Sequence, residues 1–473
     1  MDDLAVTYLC LFLKQCNSLI TLNLFNCQLF DDLIGNVVST LIKRTAVFQT
    51  PEYSALHNDH DDNSSVVSNI TELMCNESIT DLNIGRNKIG KETAAAITKM
   101  FKQNAVLHTF RMEYGTKIEP AQWKLICTAI KLYNSSMYNL VLNGSDLSVK
   151  TCEYIANITS SYGTHLRRIA LPKCGLVGLH LEALSKHLNS ARFLQTLDLS
   201  DNNFEDGIEH LCTIIRGSIN IDEQHFPPLE NLDVSCCHIT PQGAAQIAEA
   251  ISTRQHAWKC IDLSYNIVGP QNDNFIAHIG NCSIVDLKLN YCRLKTSLTG
   301  SLFKIIAHRS RSHVQNPSNI QSLVRNRLLE SLRFLYIAGN EVSDSIAEGL
   351  YEMLNKNVSL EVLDLGYNSL TNQCSSFFAS ATKVSSDDPM EKKIYPLHVN
   401  LIGNKCDPYL LETPGMARSK VHFFFGTHVN RDNDSLGGYA HMENRVRGKF
   451  VVQKQLDELY RKTFPMVDIN HVS

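Results

Sequence analysis

The sequence predicts an α/β solenoid of about twelve strand-helix coils, with parallel strands on the concave face. Three observations carry this. Twelve stretches place a hydrophobic residue at positions 1, 4, 6 and 11 and a small, usually hydrogen-bonding residue at position 9, as in LITLNLFNCQL from Leu19, ITDLNIGRNKI from Ile79, LQTLDLSDNNF from Leu194 and LEVLDLGYNSL from Leu360. The position-9 residues are Cys27, Asn87, Gly115, Ser145, Cys174, Asn202, Cys237, Asn266, Cys292, Asn340, Asn368 and Asn404, most of them 26 to 30 residues apart. After position 11 the apolar spacing changes to three and four, as in Gly243, Ala244, Ile247, Ala248 and Ile251, or Ile346, Ala347, Leu350 and Leu354, which is helical periodicity. A strand and a helix in each short unit make a right-handed coil. Helices need more width than strands, so the stack curves with its strands inside and leaves their outward face open.

Taken from the amino end, residues 3 to 15 read as a helix capping the first strand, since an end coil otherwise exposes its core. The 60-residue gap between Cys27 and Asn87 reads as one coil whose helical side is split by the acidic loop HNDHDDNSS at 57 to 65. His57, Asp59, His60, Asp61 and Asp62 have metal-ligand chemistry, but a solvated polar loop is the preferred reading, and no metal or cofactor is expected. A second insertion, roughly 216 to 228, ends in Phe226-Pro227-Pro228 and delivers the chain to the strand at Leu229. The third, between Cys292 and Asn340, contains HRSRSHVQNPSNIQSLVRNR, whose Arg309, Arg311, Arg325 and Arg327 have no acidic neighbour. It reads as a flexible surface loop, with an acidic partner or phosphorylation as the functional alternative. KVSSDDPMEKK at 383 to 393 reads as plain connection. The solenoid thus occupies residues 1–406, and 407–473 form a carboxyl-terminal extension.

From Cys174 to Asn340 the position-9 residue alternates strictly between Cys and Asn. The hydrophobic pattern is the leucine-rich-repeat signature, and this alternation, with a unit near 28 residues, resembles the ribonuclease-inhibitor-like class of those repeats over roughly residues 15 to 406. The resemblance implies a horseshoe fold and a binding scaffold; it does not name the partner. An Asn side chain satisfies backbone groups where the chain turns out of the strand, and a Cys fills the same slot with a weaker thiol contact.

Composition narrows the partner little. With 44% hydrophobic and 19% charged residues and a formal net charge of -4, no global field selects nucleic acid or membrane. The start, MDDLAVTYLCLFLKQCNS, lacks a basic n-region, and its apolar run is too short to span a bilayer. Of fifteen cysteines, Cys27, Cys174, Cys237 and Cys292 recur one per coil at a ladder slot expected to be buried, which without a secretory signal favours reduced thiols in a cytoplasmic compartment. The sequons at Asn143 and Asn157 then carry no meaning. No Walker loop, GxSxG, HExxH or paired CxxC is present, so catalysis finds no support. The missing phosphate loop also argues against the immune-receptor ATPases that carry similar repeats. Cys236 and Cys237, adjacent in a strand, point to opposite faces and cannot grip one metal.

Positions 3, 5, 7 and 8 of each strand are expected on the open side. Early coils supply Phe25, Asp81, Arg86, Arg111, Glu113, Tyr114, Arg168 and Lys173, a mildly basic set. Later coils supply Asp198, Asp201, Asp233, Asp262, Asp286, Lys288 and Asp364 with Tyr265, Tyr291, Phe334, Tyr336 and Tyr367. Carboxylates beside aromatics suit a basic protein segment and repel a phosphate backbone. The competing reading for the Asp set is structural, because Asp at position 5 is common in strands of the LDLS type. Phe334 and Tyr336 share one face, with Tyr291 and Tyr367 in the coils on either side, so a contiguous aromatic patch is expected.

Beyond 406 the pattern stops. Residues 413 to 462 carry nine Lys and Arg against five Asp and Glu, a net of plus four. VHFFFG at 421 to 426 is too apolar for a free tail, so Phe423, Phe424 and Phe425 either cap the last coil or meet a partner. VVQKQLDELYRKTF places Val452, Leu456, Leu459 and Phe464 near one helical face, suited to docking a partner or to packing on the solenoid.

The first functional expectation is therefore a non-enzymatic cytoplasmic scaffold, a monomer within a larger complex, holding another protein on its concave face. By analogy with proteins of this type, a cytoskeletal or ciliary assembly is the setting expected. The rival is a regulator of a small GTPase, since activators of the nuclear-transport GTPase use similar repeats, with Arg86 or Arg111 approaching the nucleotide. Those activators end in an acidic tail, and this extension is basic. A third, an inhibitor of a basic nuclease, wants a more acidic face. If the cysteines are reduced, denaturing alkylation without reductant labels essentially all fifteen. Protection of half of them in rapidly quenched cells overturns the cytoplasmic expectation.

Overall fold

The computed structural model describes residues 2–42, 76–114, 118–219, 225–226, 229–254, 256–269, 271–312, 332–356, 359–374, 397–406 and 421–424. The chain divides into two compact units, Met1–Cys237 and His238–Ser473, and each is an α/β solenoid of parallel strands alternating with helices.

In the first unit the helix Asp3–Gln15 precedes strands β1 (Thr21–Asn23), β2 (Asp81–Asn83), β3 (Thr109–Arg111), β4 (Asn139–Val141), β5 (Arg168–Ala170) and β6 (Thr196–Asp198). A two-stranded antiparallel ribbon, β7 (Ser218–Ile219) with β8 (His225–Phe226), leads into β9 (Asn231–Asp233). All the others pair in parallel in chain order, with the position-4 residues aligned: Leu22, Leu82, Phe110, Leu140, Ile169, Leu197 and Leu232. Each of these side chains is buried, so one apolar row runs through the layer and joins the helices behind it. Because β1 pairs directly with β2, the 60-residue gap is a single coil, as its lack of a strand pattern predicts. The acidic His and Asp loop within it lies outside the described residues.

The second unit carries β10 (Trp258–Asp262), β11 (Ile284–Lys288), β12 (Phe334–Tyr336), β13 (Val362–Asp364), β14 (Leu397–Asn400) and β15 (Val421–Phe424), again parallel and in order. Leu397 aligns with Val421 and Asn400 with Phe424, so the extension contributes a strand edge-on to the last repeat strand. The remainder of the extension, including Leu456, Leu459 and Phe464, lies outside the described residues. One expectation is corrected here. The helix after β11 runs Lys295–Ser312, which places Arg309 and Arg311 on its last turns and not in a loop. The sequence has no glycine or proline between 301 and 316 to stop it. Arg325, Arg327 and the connection at 383 to 393 lie outside the described residues.

Helix starts explain themselves locally. Asp2 accepts from the Ala5 N–H, Ser148 from Thr151 and Thr240 from Gly243, ahead of Pro241, the usual acceptors for donors that a first turn leaves open. The helix Lys91–Gln103 starts after Gly90, which has no side chain to offer. Its cap comes from the preceding coil: the Asp31 carboxylate accepts from the backbone N–H groups of Gly90, Glu92 and Thr93 at 2.7 to 2.9 Å. The terminal helix Asp3–Gln15 buries Val6 and Leu13 and leaves Leu4, Tyr8, Leu11 and Phe12 exposed. It therefore presents an apolar outer face.

The position-9 residues behave as their chemistry predicts. The Asn202 amide donates to the carbonyls of Leu171, Leu199 and Ser200 and accepts from the N–H groups of Cys174 and Leu176. Asn87, Asn340 and Asn368 repeat this arrangement. A cysteine donates its thiol to the same carbonyl of the coil before: Cys174 to Leu142 at 3.0 Å, Cys237 to Leu199 at 3.2 Å and Cys292 to Leu263 at 3.2 Å. A thiol accepts poorly, and the position-11 N–H that an Asn would take goes instead to a main-chain carbonyl, Phe204 to that of Cys237 and Val268 to that of Cys292. A second row was not anticipated. Asn76 and the helix C-caps Asn104 and Asn134, all buried, reach back to the carbonyls of Leu13, Leu41 and Asn104.

None of the cysteines among the described residues forms a disulfide. Replacing Asn340 by Ala strips partners from two N–H groups and two carbonyls and is expected to cost about 2 to 4 kcal/mol, whereas Cys292→Ala should cost about 1. Urea titration followed by circular dichroism checks the ranking. Equal costs would mean that the amide carries no special weight.

Candidate functional site

The open face is built by a feature that the strand reading lacked. Each of the repeat strands β1 to β6 and β9 to β14 spans only three to five residues, and position 8 lies beyond it in a turn. In every coil that residue has positive φ, from 49° at Tyr114 to 74° at Gly403, including Asn26, Arg86, Lys173, Asp201, Cys236, Tyr265, Tyr291 and Tyr367. This left-handed conformation costs an L-residue about 1 to 2 kcal/mol, and the ladder bond of the next residue holds it in place. The exposed Cys236 and buried Cys237 therefore diverge because of a turn, not because a strand alternates.

In the second unit the strand register lines up three rows. Position 3 supplies Cys260, Asp286, Phe334, Val362 and His398, and position 5 supplies Asp262, Lys288, Tyr336, Asp364 and Asn400. Position 8 supplies Tyr265, Tyr291, Gly339, Tyr367 and Gly403. The rings of Tyr265 and Tyr291 stack with centroids 4.9 Å apart and planes at 11°. The Tyr291 ring lies over Gly339, where a Cβ would collide with it, and Tyr367 covers Gly403 in the same way. Tyr367 is 44% exposed. Tyr336 sits in the middle of the face yet is only 7% exposed. Burial, then the neighbouring carboxylates of Asp286 and Asp364, push its hydroxyl pKa well up. Phe334 is half-buried, with the Arg333 guanidinium 5.5 Å above its ring, and Arg333 in turn forks onto Glu361 at 2.7 and 2.9 Å.

The carboxylates have internal work. Asp198, Asp233 and Asp262 accept from the N–H two residues on, at Ser200, Ser235 and Ser264, closing the turn that ends the strand. Asp364 does the same with Gly366 and also accepts from the Asn400 amide at 2.7 Å. Burial pushes its carboxyl up to about 6, against those two hydrogen bonds. Burial likewise raises Asp286, with Lys288 and a side-chain hydrogen bond from Cys260 opposing; its other oxygen, Oδ1, is buried and accepts none. Lys288 stands 3.8 Å from Asp262. The aromatic and acidic residues expected from β10 to β13 thus share one face, whereas Asp198 and Asp233 belong to the first unit.

In that first unit Arg111 pairs with Asp81 at 3.3 Å and Arg168 with Asp198 at 3.9 Å, which reduces the expected basic character. Arg86 and Lys173 are exposed. Asn290, missed in the sequence because it is neither charged nor aromatic, is buried at position 7 of the Tyr291 coil and accepts from the Ala338 N–H at 2.9 Å. Among the described residues no group of His, Cys, Asp and Glu is placed to hold a metal, and no helix is long and apolar enough to cross a membrane.

The family described as Leucine Rich repeat matches residues 190–208 and 227–248. The chain is similar to NACHT, LRR and PYD domains-containing protein 14 of Mus musculus, 26% identical over 248 residues, or 51% of this chain and 24% of that protein. It is also similar to protein 3 of the same name in Bos taurus, 25% identical over 278 residues, or 57% of this chain and 24% of that protein. The chain spans about a quarter of the length of these curated relatives. Among solved structures, an internalin (inlF) from Listeria monocytogenes aligns over 74% of this chain and 75% of its own, with TM-score 0.36 and 14% identity. The yeast Rad7 and Elc1 complex aligns over 74% of this chain and 79% of its own, with TM-score 0.38 and 11% identity. Such loose superpositions carry no argument, and the topology stands on its strand register.

Asp364 gives the face a pH dependence with a definite sign. Its folded pKa of about 6 lies above the ordinary 3.8, so the folded chain holds a proton that the unfolded chain has released. The stability it contributes is present below about pH 4 and is lost as pH rises through 6. Asp364→Asn keeps the acceptor oxygen and should raise stability at pH 7 by up to about 3 kcal/mol while flattening the loss between pH 4 and 6. Thermal melts across that range check it; an unchanged slope excludes a raised Asp364.

Proposed function

Starting from the chain's identity as a leucine-rich-repeat protein, we propose that it is a non-enzymatic scaffold holding another protein on the strand face of its second unit. The observation that carries the reading is the position-8 row, where Tyr265, Tyr291 and Tyr367 stand as rigid aromatic surfaces on turns that the core fixes. Pre-ordered aromatics lose little entropy on contact and give interfaces much of their energy. Asp262 and Asp286 beside them favour a partner with a basic segment over one presenting phosphates.

The relatives' names couple leucine-rich repeats with NACHT and PYD domains, and the similarity spans only about a quarter of each, which supports a repeat module for protein contact and no activity of the other domains. Membership of a cytoplasmic assembly of the cytoskeletal or ciliary kind, as a single copy within a larger complex, belongs to the same proposal and rests on analogy. Regulation of a small GTPase has less support: Arg111, one of its two candidate arginines, is engaged by Asp81.

Tyr336 is too buried to serve as a clean test, so the half-buried Tyr265 and the exposed Tyr367 are the rings to remove. With partners first identified by proximity labelling in native cells, Tyr265→Ala combined with Tyr367→Ala should weaken capture by at least about 2 kcal/mol, roughly thirtyfold. Circular dichroism should stay native. Unchanged affinity with an intact fold moves the site off this face.

A further inference from the structure

We propose that the strand face of the second unit is also the docking surface for a segment of the chain's own extension, residues 445–449, bearing Arg445, Arg447 and Lys449. This rests on the reading of that face as a surface for basic segments and names one occupant. Three observations meet here. The first is placement. β15 pairs beside β14 in the same unit, so the chain beyond Phe424 departs two strands from Asp364 and five from Asp262. At about 4.8 Å per strand these are distances of roughly 10 and 24 Å. From Phe424 to Arg445 there are 21 residues, and a random-coil chain of that length would have a mean reach of about 25 Å.

The second is charge pattern. Residues 444–456 contain Arg445, Arg447, Lys449 and Lys454 and no acidic residue. In RVRGK the cations alternate with Val446 and Gly448, a spacing that would set all three on one side if the segment bound as a strand. Arg445 to Lys449 then spans about 13 Å, close to the three strand spacings between Asp262 and Asp364. The third is an unmet group on the face. Asp286 lies between those two in the strand order, and its buried Oδ1 has no hydrogen-bond partner. A cation crossing there meets the negative potential of that half-buried carboxylate, and the stacked Tyr265 and Tyr291 rings offer the neighbouring cation an aromatic face.

Tethering makes the contact self-competing. A connection of this length holds the segment near its site at an effective concentration on the order of millimolar, so any external basic segment must displace it. The test uses the full chain, with and without Arg445→Glu, Arg447→Glu and Lys449→Glu, and a fluorescent synthetic peptide of residues 444–456 as probe. The charge-reversed chain should bind the peptide at least about tenfold more tightly than the unaltered chain. Adding Asp262→Asn and Asp286→Asn to the reversed chain should abolish that binding. Equal affinity of the two chains, lost on the Asp substitutions, overturns the inference and leaves the binding-face reading standing. Binding by neither chain, or binding indifferent to the Asp substitutions, overturns both. Carbodiimide coupling of Lys449 to a face carboxylate should appear in the monomer; a coupled dimer puts the segment on a second copy and overturns the intramolecular contact.

Discussion

Every coil of this protein faces the same problem where it leaves its strand. A short strand ends inside the molecule, so the position-6 carbonyl and the position-11 N–H must find partners without water. From Cys174 to Asn404 the position-9 residue answers by reaching to the preceding coil. Asn does so with donor and acceptor together, as Asn202 and Asn340 show. A Cys coil divides the task, its thiol taking the carbonyl and its main-chain oxygen the N–H, as at Cys292. The helices, the apolar rows and the parallel strands of each unit are arranged around this repeated closure.

The closure also makes the binding face. Because position 9 is tied down, the residue before it is forced into the left-handed turn and its side chain is delivered to the open side whatever its chemistry. Arg86, Lys173, Asp201 and Tyr265 occupy equivalent turns with φ between 54° and 60°. None of the twelve position-8 residues is β-branched, the class for which this backbone is most strained. Where Gly takes the place, as at Gly339 and Gly403, the tyrosine of the coil before lies over it. The aromatic row is therefore partly a packing device and partly a surface.

Much of the fold was legible because its signal repeats. Twelve copies of one pattern average out local ambiguity, and the helix at Asp3–Gln15 and the burial of Ile247 and Ile251 follow directly from apolar spacing. What stayed hidden depends on single residues or on tertiary geometry. Alternation alone puts Tyr336 on the open side, and only its neighbours in the register, Lys288 and Asp364, reveal that it is covered. The Asp set carried two readings, and its turn-closing hydrogen bonds to Ser200, Ser235 and Ser264 belong to the structural one. The Asn76, Asn104 and Asn134 row repeats at 28 and 30 residues and was available as a second periodicity. It escaped notice because asparagine at a helix end reads as an ordinary stop signal.

The alternation of Cys and Asn has a mechanical corollary. An Asn ties its coil to the preceding one through the amide's donor and acceptor, whereas at Cys237 and Cys292 a weaker thiol takes the carbonyl and a main-chain oxygen takes the N–H. Seams between neighbouring turns of the spring are thus unequal. Under tension within one unit, the chain should part at a thiol seam while the adjoining amide seam still holds, so coils come away in pairs. The protein's grain, like that of split wood, is written in which of two small side chains occupies one slot.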